Sequence, residues 1–309
     1  MKQRNVDTVP LFLNDGEKGQ PMNVAFPPEL SLFQIKNLLG ESRTAKVFRI
    51  IPNVEYALKV VDITGQAAES AVDNEYRIAG QLDDEKHFVP YYAMYKKDGK
   101  AYIVQPELRN LLSYIGEGYF YPGQILKILE DIAEAIVVMH KKGVIHLDVK
   151  PTNIFVDKDG HGKLGDFSTS CEIDVFKKKP VRGGTPRYFP PEVYKEAGYS
   201  GKEDMYSFGI MMYYILSGGK YPYDFGEAMT RTAESEYITS ANIPDELQMI
   251  IKKATAYHPD DRYDSMQEIC ELLHLAAQDS ASYKLFQTSD YDETDTVTLA
   301  PYDAVDAGE

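Results

Sequence analysis

Around Gln105 the apolar pattern of this chain changes its period. Upstream, "FQIKNLLG", "AKVFRII", "EYALKVVDI", "FVPYYAMYKK" and "AYIVQPEL" are short runs rich in Val, Ile, Tyr and Phe, the signature of strands. One helical segment, about 67–82, interrupts them. Downstream of about Leu111 the period becomes helical. "PGQILKILEDIAEAIVVMHKKG" sets Ile125, Ile128, Leu129, Ile132, Ile136 and Met139 at helical spacing. Gly143, after Lys141 and Lys142, is a C-terminal stop. "KEDMYSFGIMMYYILSGG" is apolar nearly all round and predicts a buried helix. "DELQMIIKKATA" and "SMQEICELLHLAAQ" complete the series. A chain of 309 residues is too long for one minimal core. The expected fold class is α+β and bilobal: a small β-rich lobe with one key helix, then a larger helical lobe.

Charge narrows the partners. The formal net charge is -15, which argues against general nucleic-acid binding. Much of it lies in "DSASYKLFQTSDYDETDTVTLAPYDAVDAGE", which reads as a disordered acidic tail over 279–309. Residues 1–30, with Pro10, Pro21, Pro27 and Pro28, read as an irregular lead-in draped over the domain. "VPLFL" is too short for a signal-peptide core, and no run of about 18 apolar residues is present. Cys171 and Cys270 make no disulfide framework. The expected compartment is the cytoplasm, or a host cytosol for a secreted pathogen protein.

Three sets of charged residues sit where apolar residues are expected. Lys59 lies in "YALKVV"; alone it reads as a lysine snorkelling from a half-exposed strand. On the helix that follows, the residues three and four away from Glu75 are Ala71, Val72, Ile78 and Ala79. Glu75 is therefore on the inward face, and a buried carboxylate costs several kcal/mol unless paired. Lys59 is its natural partner; Glu69, beside Asp73 and Tyr76, belongs to the solvated face. The second set, His146, Asp148, Lys150 and Asn153, fits H-x-D-x-K-x-x-N within "VIHLDVKPTNIF". The third is Asp166 in "KLGDFSTS". Either aspartate alone reads as a turn or cap former.

In this order and at these separations the sets resemble the eukaryotic-type protein kinase family, over roughly 31–278, with a small lobe to about 105 and a large one from 106. "HLDVKPTN" matches the catalytic loop, with Leu147 where the family has arginine, and "DFS" stands for DFG. "GTPRYFPPE" resembles the end of the activation segment. Asp204 in "EDMYSFG" matches the brace of the catalytic loop, and Arg262 in "HPDDRY" the partner of Glu192. The resemblance implies a role for each position. Lys59 holds the α- and β-phosphates of ATP and Glu75 orients it. Asn153 and Asp166 bind Mg2+. Asp148 accepts the proton of the substrate hydroxyl, and Lys150 steadies the γ-phosphate. With a threonine in the place of Thr185, Lys150 marks the serine/threonine type. Adenine is expected between Leu39, Val47 and Ala57 on one side and Phe155 on the other. Its edge meets the backbone of Pro106, Glu107 and Leu108, with Gln105 as gatekeeper. The "GTxxY…PE" segment and the Asp204 brace favour a protein substrate over a small molecule.

The departures are as informative. In "GESRTAKV" only Gly40 of the three phosphate-loop glycines survives, with Ser42 and Ala45 replacing the others. Each loss is expected to cost about 1 kcal/mol, several-fold in ATP affinity. Ser168 restricts the flip of the DFG-like segment. The alternative is a pseudokinase scaffold that binds partners, or a weakly active atypical kinase. Leu147 cannot pair with a phosphate on the activation segment, and no hydroxyl residue lies between Cys171 and Arg182, so activity should not depend on phosphorylation there. "KKKPVR", 177–182, is either a solvated loop or a dock for acidic groups. The tail, with Thr288, Ser289, Tyr291, Thr294, Thr296 and Thr298 among its acids, is expected to be a self-phosphorylation site.

Overall fold

The computed structural model describes residues 34–41, 45–51, 56–82, 84, 86–116, 122–173, 184–194, 199–225 and 231–278. The expectations for 1–30, for Ser42, for the basic run 177–182 and for 279–309 fall outside these residues. The chain divides into two compact units, taken in turn. Among the described residues the first comprises 34–76 and 90–108, the second 77–89 and 109–278.

The first unit is an antiparallel sheet in the order β1-β2-β3-β5-β4. Its strands are β1 (Gln34–Glu41), β2 (Ala45–Ile51), β3 (Tyr56–Asp62), β4 (Ala93–Lys97) and β5 (Lys100–Pro106). Residues directly opposite in a sheet share a face. Register therefore lines Gly40, Val47, Lys59, Ile103 and Met94 in one row, and Leu38, Phe48, Leu58 and Val104 in the next. The second row belongs to a buried apolar cluster with Val60 and Tyr102. Helix α1 (Gln66–Gln81) starts in this unit, and its Val72 packs on Ile63, Ala101 and Ile103, on the face that carries Lys59. The strands follow the alternating runs of the sequence. The run "FVPYYAMYKK" is strand only over Ala93–Lys97, because its proline start cannot join a ladder.

The second unit is mostly helical: α2 (Leu111–Gly116), α3 (Pro122–Lys141), α4 (Lys202–Leu216), α5 (Asp245–Ala254) and α6 (Met266–Gln278). Between α3 and α4 lie short strands that a helical period does not announce. They are β7 (Val144–Ile145), β8 (Ile154–Val156), β9 (Gly162–Leu164) and β10 (Cys171–Glu172); β6 (Arg109–Asn110) precedes α2 and pairs with β8. Helix α4 is buried along its length, Glu203 to Ile215, as its all-round apolar sequence requires. Its two acids are satisfied. Glu203 accepts the N–H of Ser200 at 3.1 Å and of Gly201 at 2.9 Å. Gly201 has φ 96° and lies against His140, which leaves no room for a side chain. No helix among the described residues is long and apolar enough to cross a membrane.

Two buried charges tie this unit together. The Arg262 side chain is fully buried and grips Glu192 with both terminal nitrogens, at 2.6 and 2.8 Å. It also donates to the carbonyls of Ala256 and Lys202, both at 2.9 Å, and stacks over Tyr206. Asp204, 0% exposed, accepts the backbone N–H of His146 at 2.9 Å and of Leu147 at 2.8 Å, with His140 Nε2 at 2.9 Å. Burial pushes the Asp204 carboxyl up, but the His140 contact and the backbone N–H outweigh it. The group sits below its ordinary value of 3.8.

Removing one partner of a buried pair leaves the other charge uncompensated. Arg262→Ala is expected to lower unfolding stability by about 3–5 kcal/mol, read by denaturant titration. Arg262→Lys should recover only part, since an ammonium cannot make the two-pronged contact. A carboxyl depressed in the folded state contributes stability that is complete above its unfolded value and is lost as pH falls through the folded one. Melting curves collected from neutral to acid pH should thus show a smaller acid-induced loss in Asp204→Asn than in the wild type.

Candidate active site

The turn from His146 to Asn153 is fixed from both sides. The N–H of Asp148 donates to His146 Nδ1 at 3.2 Å, so that nitrogen is an acceptor; Nε2 faces the carbonyl of Gly165 at 3.0 Å and is the donor. These two contacts fix the ring orientation, and the imidazole stands edge-on to Phe167, centroids 5.8 Å apart. Leu147 has φ 66°, a left-handed conformation that costs a non-glycine residue about 1–3 kcal/mol. The two Asp204 oxygens that take consecutive N–H groups hold it there.

Around this turn, four residues singled out by the sequence form one polar cluster centred on Asp148. Asn153 Nδ2 donates to the Asp148 carboxylate and to its carbonyl, each at 2.9 Å. Lys150 Nζ lies 3.2 Å from the same carboxylate and donates to Thr185 Oγ1 at 2.7 Å. Thr185 Oγ1 returns a hydrogen bond to Asp148 Oδ1 at 3.2 Å. Asn153 spends its amide nitrogen on orienting Asp148, and its side-chain Oδ1 takes no part in these bonds.

Asp166 follows β9 and is half-buried, with φ 60°. The N–H of Gly165 donates to the backbone carbonyl of Asn153 at 3.0 Å, which places the two segments side by side. A side chain at 165 would strike Val89 at 2.8 Å and Phe155 at 2.9 Å; glycine there lets Phe155 lie on the backbone. Beyond the exposed Ser168, the hydroxyls of Thr169 and Ser170 both donate to the His146 carbonyl, at 2.9 and 3.3 Å.

In the first unit, Lys59 Nζ pairs with Glu75 Oε1 at 2.7 Å, and Glu75 is 1% exposed. Glu69 lies on the outer face, sharing Lys96 with Asp73. Ala57 and Gln105 are buried cross-strand neighbours, Val47 and Leu108 are half-buried, and Leu39 and Gly40 are exposed. A side chain at Gly40 would meet nothing within 4 Å, and its φ is not positive, so this conformation does not itself require glycine there. Glu107 offers only its backbone, because its carboxylate is held by both Nε and Nη2 of Arg49.

The sequence reading missed several partners. Tyr91 donates to the Glu75 oxygen that Lys59 also uses, at 2.6 Å. Arg49 clamps Glu107 from β2, and Arg49, Ala57 and Gln105 form one cross-strand row. Strand alternation gives the face of Arg49, but nothing local points to a partner 58 positions away.

Comparison with known proteins adds the family. The model of the protein kinase domain matches residues 33–274. The chain is 30% identical to Ribosomal protein S6 kinase 2 alpha of Xenopus laevis over 256 residues, 77% of this chain and 34% of that protein. It is 28% identical to Ribosomal protein S6 kinase alpha-3 of Mus musculus over 264 residues, 77% of this chain and 35% of that protein. Serine/threonine-protein kinase RUNKEL of Arabidopsis thaliana is 30% identical over 200 residues, 61% of this chain and 14% of that protein. The chain thus spans about a third of the two S6 kinases. With a braced histidine, a clustered aspartate and a paired strand lysine already in place, the match over 33–274 settles the matter: this chain belongs to the protein kinase domain family.

Proposed function

We propose that the chain is an ATP-dependent protein kinase that phosphorylates serine and threonine, with residues 31–278 as the kinase domain, 1–30 as an extension and 279–309 as an acidic tail. The observation that carries this is the cluster of Lys150, Asn153 and Thr185 around Asp148. It holds one carboxylate oriented by an amide, an ammonium and a hydroxyl, which is what a proton acceptor for a substrate hydroxyl needs. Relatives named as serine/threonine kinases point the same way.

The residues divide the work. Asp148 takes the hydroxyl proton as the oxygen attacks. Lys150, beside it, balances charge at the transferring phosphoryl group. Lys59, aimed by Glu75 and Tyr91, supplies a fixed cation for the α- and β-phosphates. The Asn153 side-chain Oδ1 and the Asp166 carboxylate are hard oxygen donors that fit Mg2+. The metal, when bound, neutralises charge on the phosphates. Gly40, Val47, Ala57, Leu39 and the backbone of Glu107 and Leu108, with Phe155, are assigned to the nucleotide. The substrate is a protein, and the tail is one candidate. A cytoplasm, or a host cytosol for a secreted pathogen protein, is the assigned compartment.

Transfer of labelled phosphate from ATP to protein and peptide substrates tests the reading. Asp148→Asn is expected to lower kcat by about 10²–10⁴-fold. Lys59→Met should cost about 10²–10³-fold. A wild type no more active than these variants would leave a scaffold that binds partners. A second experiment tests control. Leu147 cannot bind an activation-segment phosphate, and the hydroxyls of Thr169 and Ser170 are already engaged. Activity is therefore expected to survive phosphatase treatment of the purified protein; its loss would show that a phosphate is needed.

A further inference from the structure

Two residues past Thr185, a cation is held in place without a carboxylate. Arg187 lies in the 3-10 turn Pro186–Tyr188. Its guanidinium stands 5.0 Å from the centre of the Tyr221 ring. That ring is itself fixed by Tyr188 at 6.1 Å, Tyr214 at 5.1 Å and Phe225 at 5.6 Å. Arg187 Nε is buried and has no hydrogen-bond acceptor among the described residues. Arg262 and Arg49 each grip a glutamate; among the described residues Arg187 has no such partner. The side chain as a whole is half-buried, so a ligand can reach the guanidinium, and a charged acceptor gives it the strongest bond. The neighbouring sequence has the same sign. From Val175 to Pro191 there are five cations, Lys177, Lys178, Lys179, Arg182 and Arg187, and no acid, in a chain of net charge -15.

From these observations, and resting on the kinase reading above, we infer that Arg187 on Tyr221 is an anion subsite for the protein substrate. It selects a carboxylate or phosphoryl side chain a few residues from the acceptor hydroxyl. The connection to chemistry is short: Thr185, two residues back, is hydrogen-bonded to both Asp148 and Lys150. An anion bound by Arg187 places the substrate backbone along this turn. The cation–π contact pre-orients the guanidinium, so less freedom is lost when the anion arrives.

A positional peptide library phosphorylated by the full chain tests this, with glutamate, phosphoserine, alanine and lysine scanned around the acceptor. The wild type is expected to favour an anionic residue at one position. Arg187→Ala should lose about tenfold in kcat/KM on that peptide, mainly through KM, and little on its alanine counterpart. Arg187→Glu should shift the preference to lysine. Arg187→Lys keeps the charge without the fork and should retain part of the selection, which keeps the test open if the alanine variant melts early. Phosphoserine favoured over glutamate identifies the phosphoryl group as the ligand; the reverse identifies the carboxylate. Turnover with no anionic preference, or a preference unchanged in Arg187→Ala, overturns the subsite alone. No turnover on any peptide overturns the kinase reading beneath it.

Discussion

One buried carboxylate keeps the catalytic turn in a shape its sequence does not favour. Asp204 sits inside a helix with no exposed surface and accepts two successive backbone N–H groups, those of His146 and Leu147. Without it, Leu147 would relax from φ 66° toward the right-handed or extended regions that a leucine prefers. The peptide before Asp148 would then rotate, and the carboxylate would leave its contacts with Lys150, Asn153 and Thr185. The strain at Leu147 and the burial of Asp204 are two costs that offset each other, and neither is intelligible alone. Burial of α4 on all sides lets one of its residues reach this turn.

Much of this was legible in the sequence, and the reason is periodicity. The alternation of "YALKVV" puts Lys59 on one face of β3, and the helical spacing around Glu75 puts that carboxylate inward. Two opposite charges forced into an apolar environment on consecutive elements must find each other, and they do at 2.7 Å. The long helices were legible for the same reason. The strands β6 to β10 were not, because two or three residues carry no period. Tyr91 was not legible either: its hydroxyl is polar at the tip of an apolar ring, so a strand-like run hides it. The unusual φ at Leu147 and Asp166 left no mark on the sequence, since neither residue is the glycine that signals such a backbone.

The glycine-poor phosphate loop reads differently beside the sheet that carries it. Gly40 is at an ordinary φ with open space around it. The flanking strands are held by more than their ladder: Arg49, on β2, grips Glu107 just past the end of β5. A two-pronged contact of this kind fixes the base of β2 against the segment assigned to the adenine edge.

Leu147 replaces the most diagnostic side chain of the catalytic loop, yet the loop geometry does not use that side chain. What the position contributes is its N–H, donated to Asp204, and its left-handed φ. Both belong to the backbone, so the turn can be built with either residue. The side chain at 147 is then free to specify control rather than chemistry. A cation there would hold an activation-segment phosphate; a leucine cannot, and the hydroxyls next in the chain are bonded to the His146 carbonyl. Backbone bracing by a buried acid therefore fixes the shape of the turn whichever side chain stands at 147, and leaves that side chain outside the geometry.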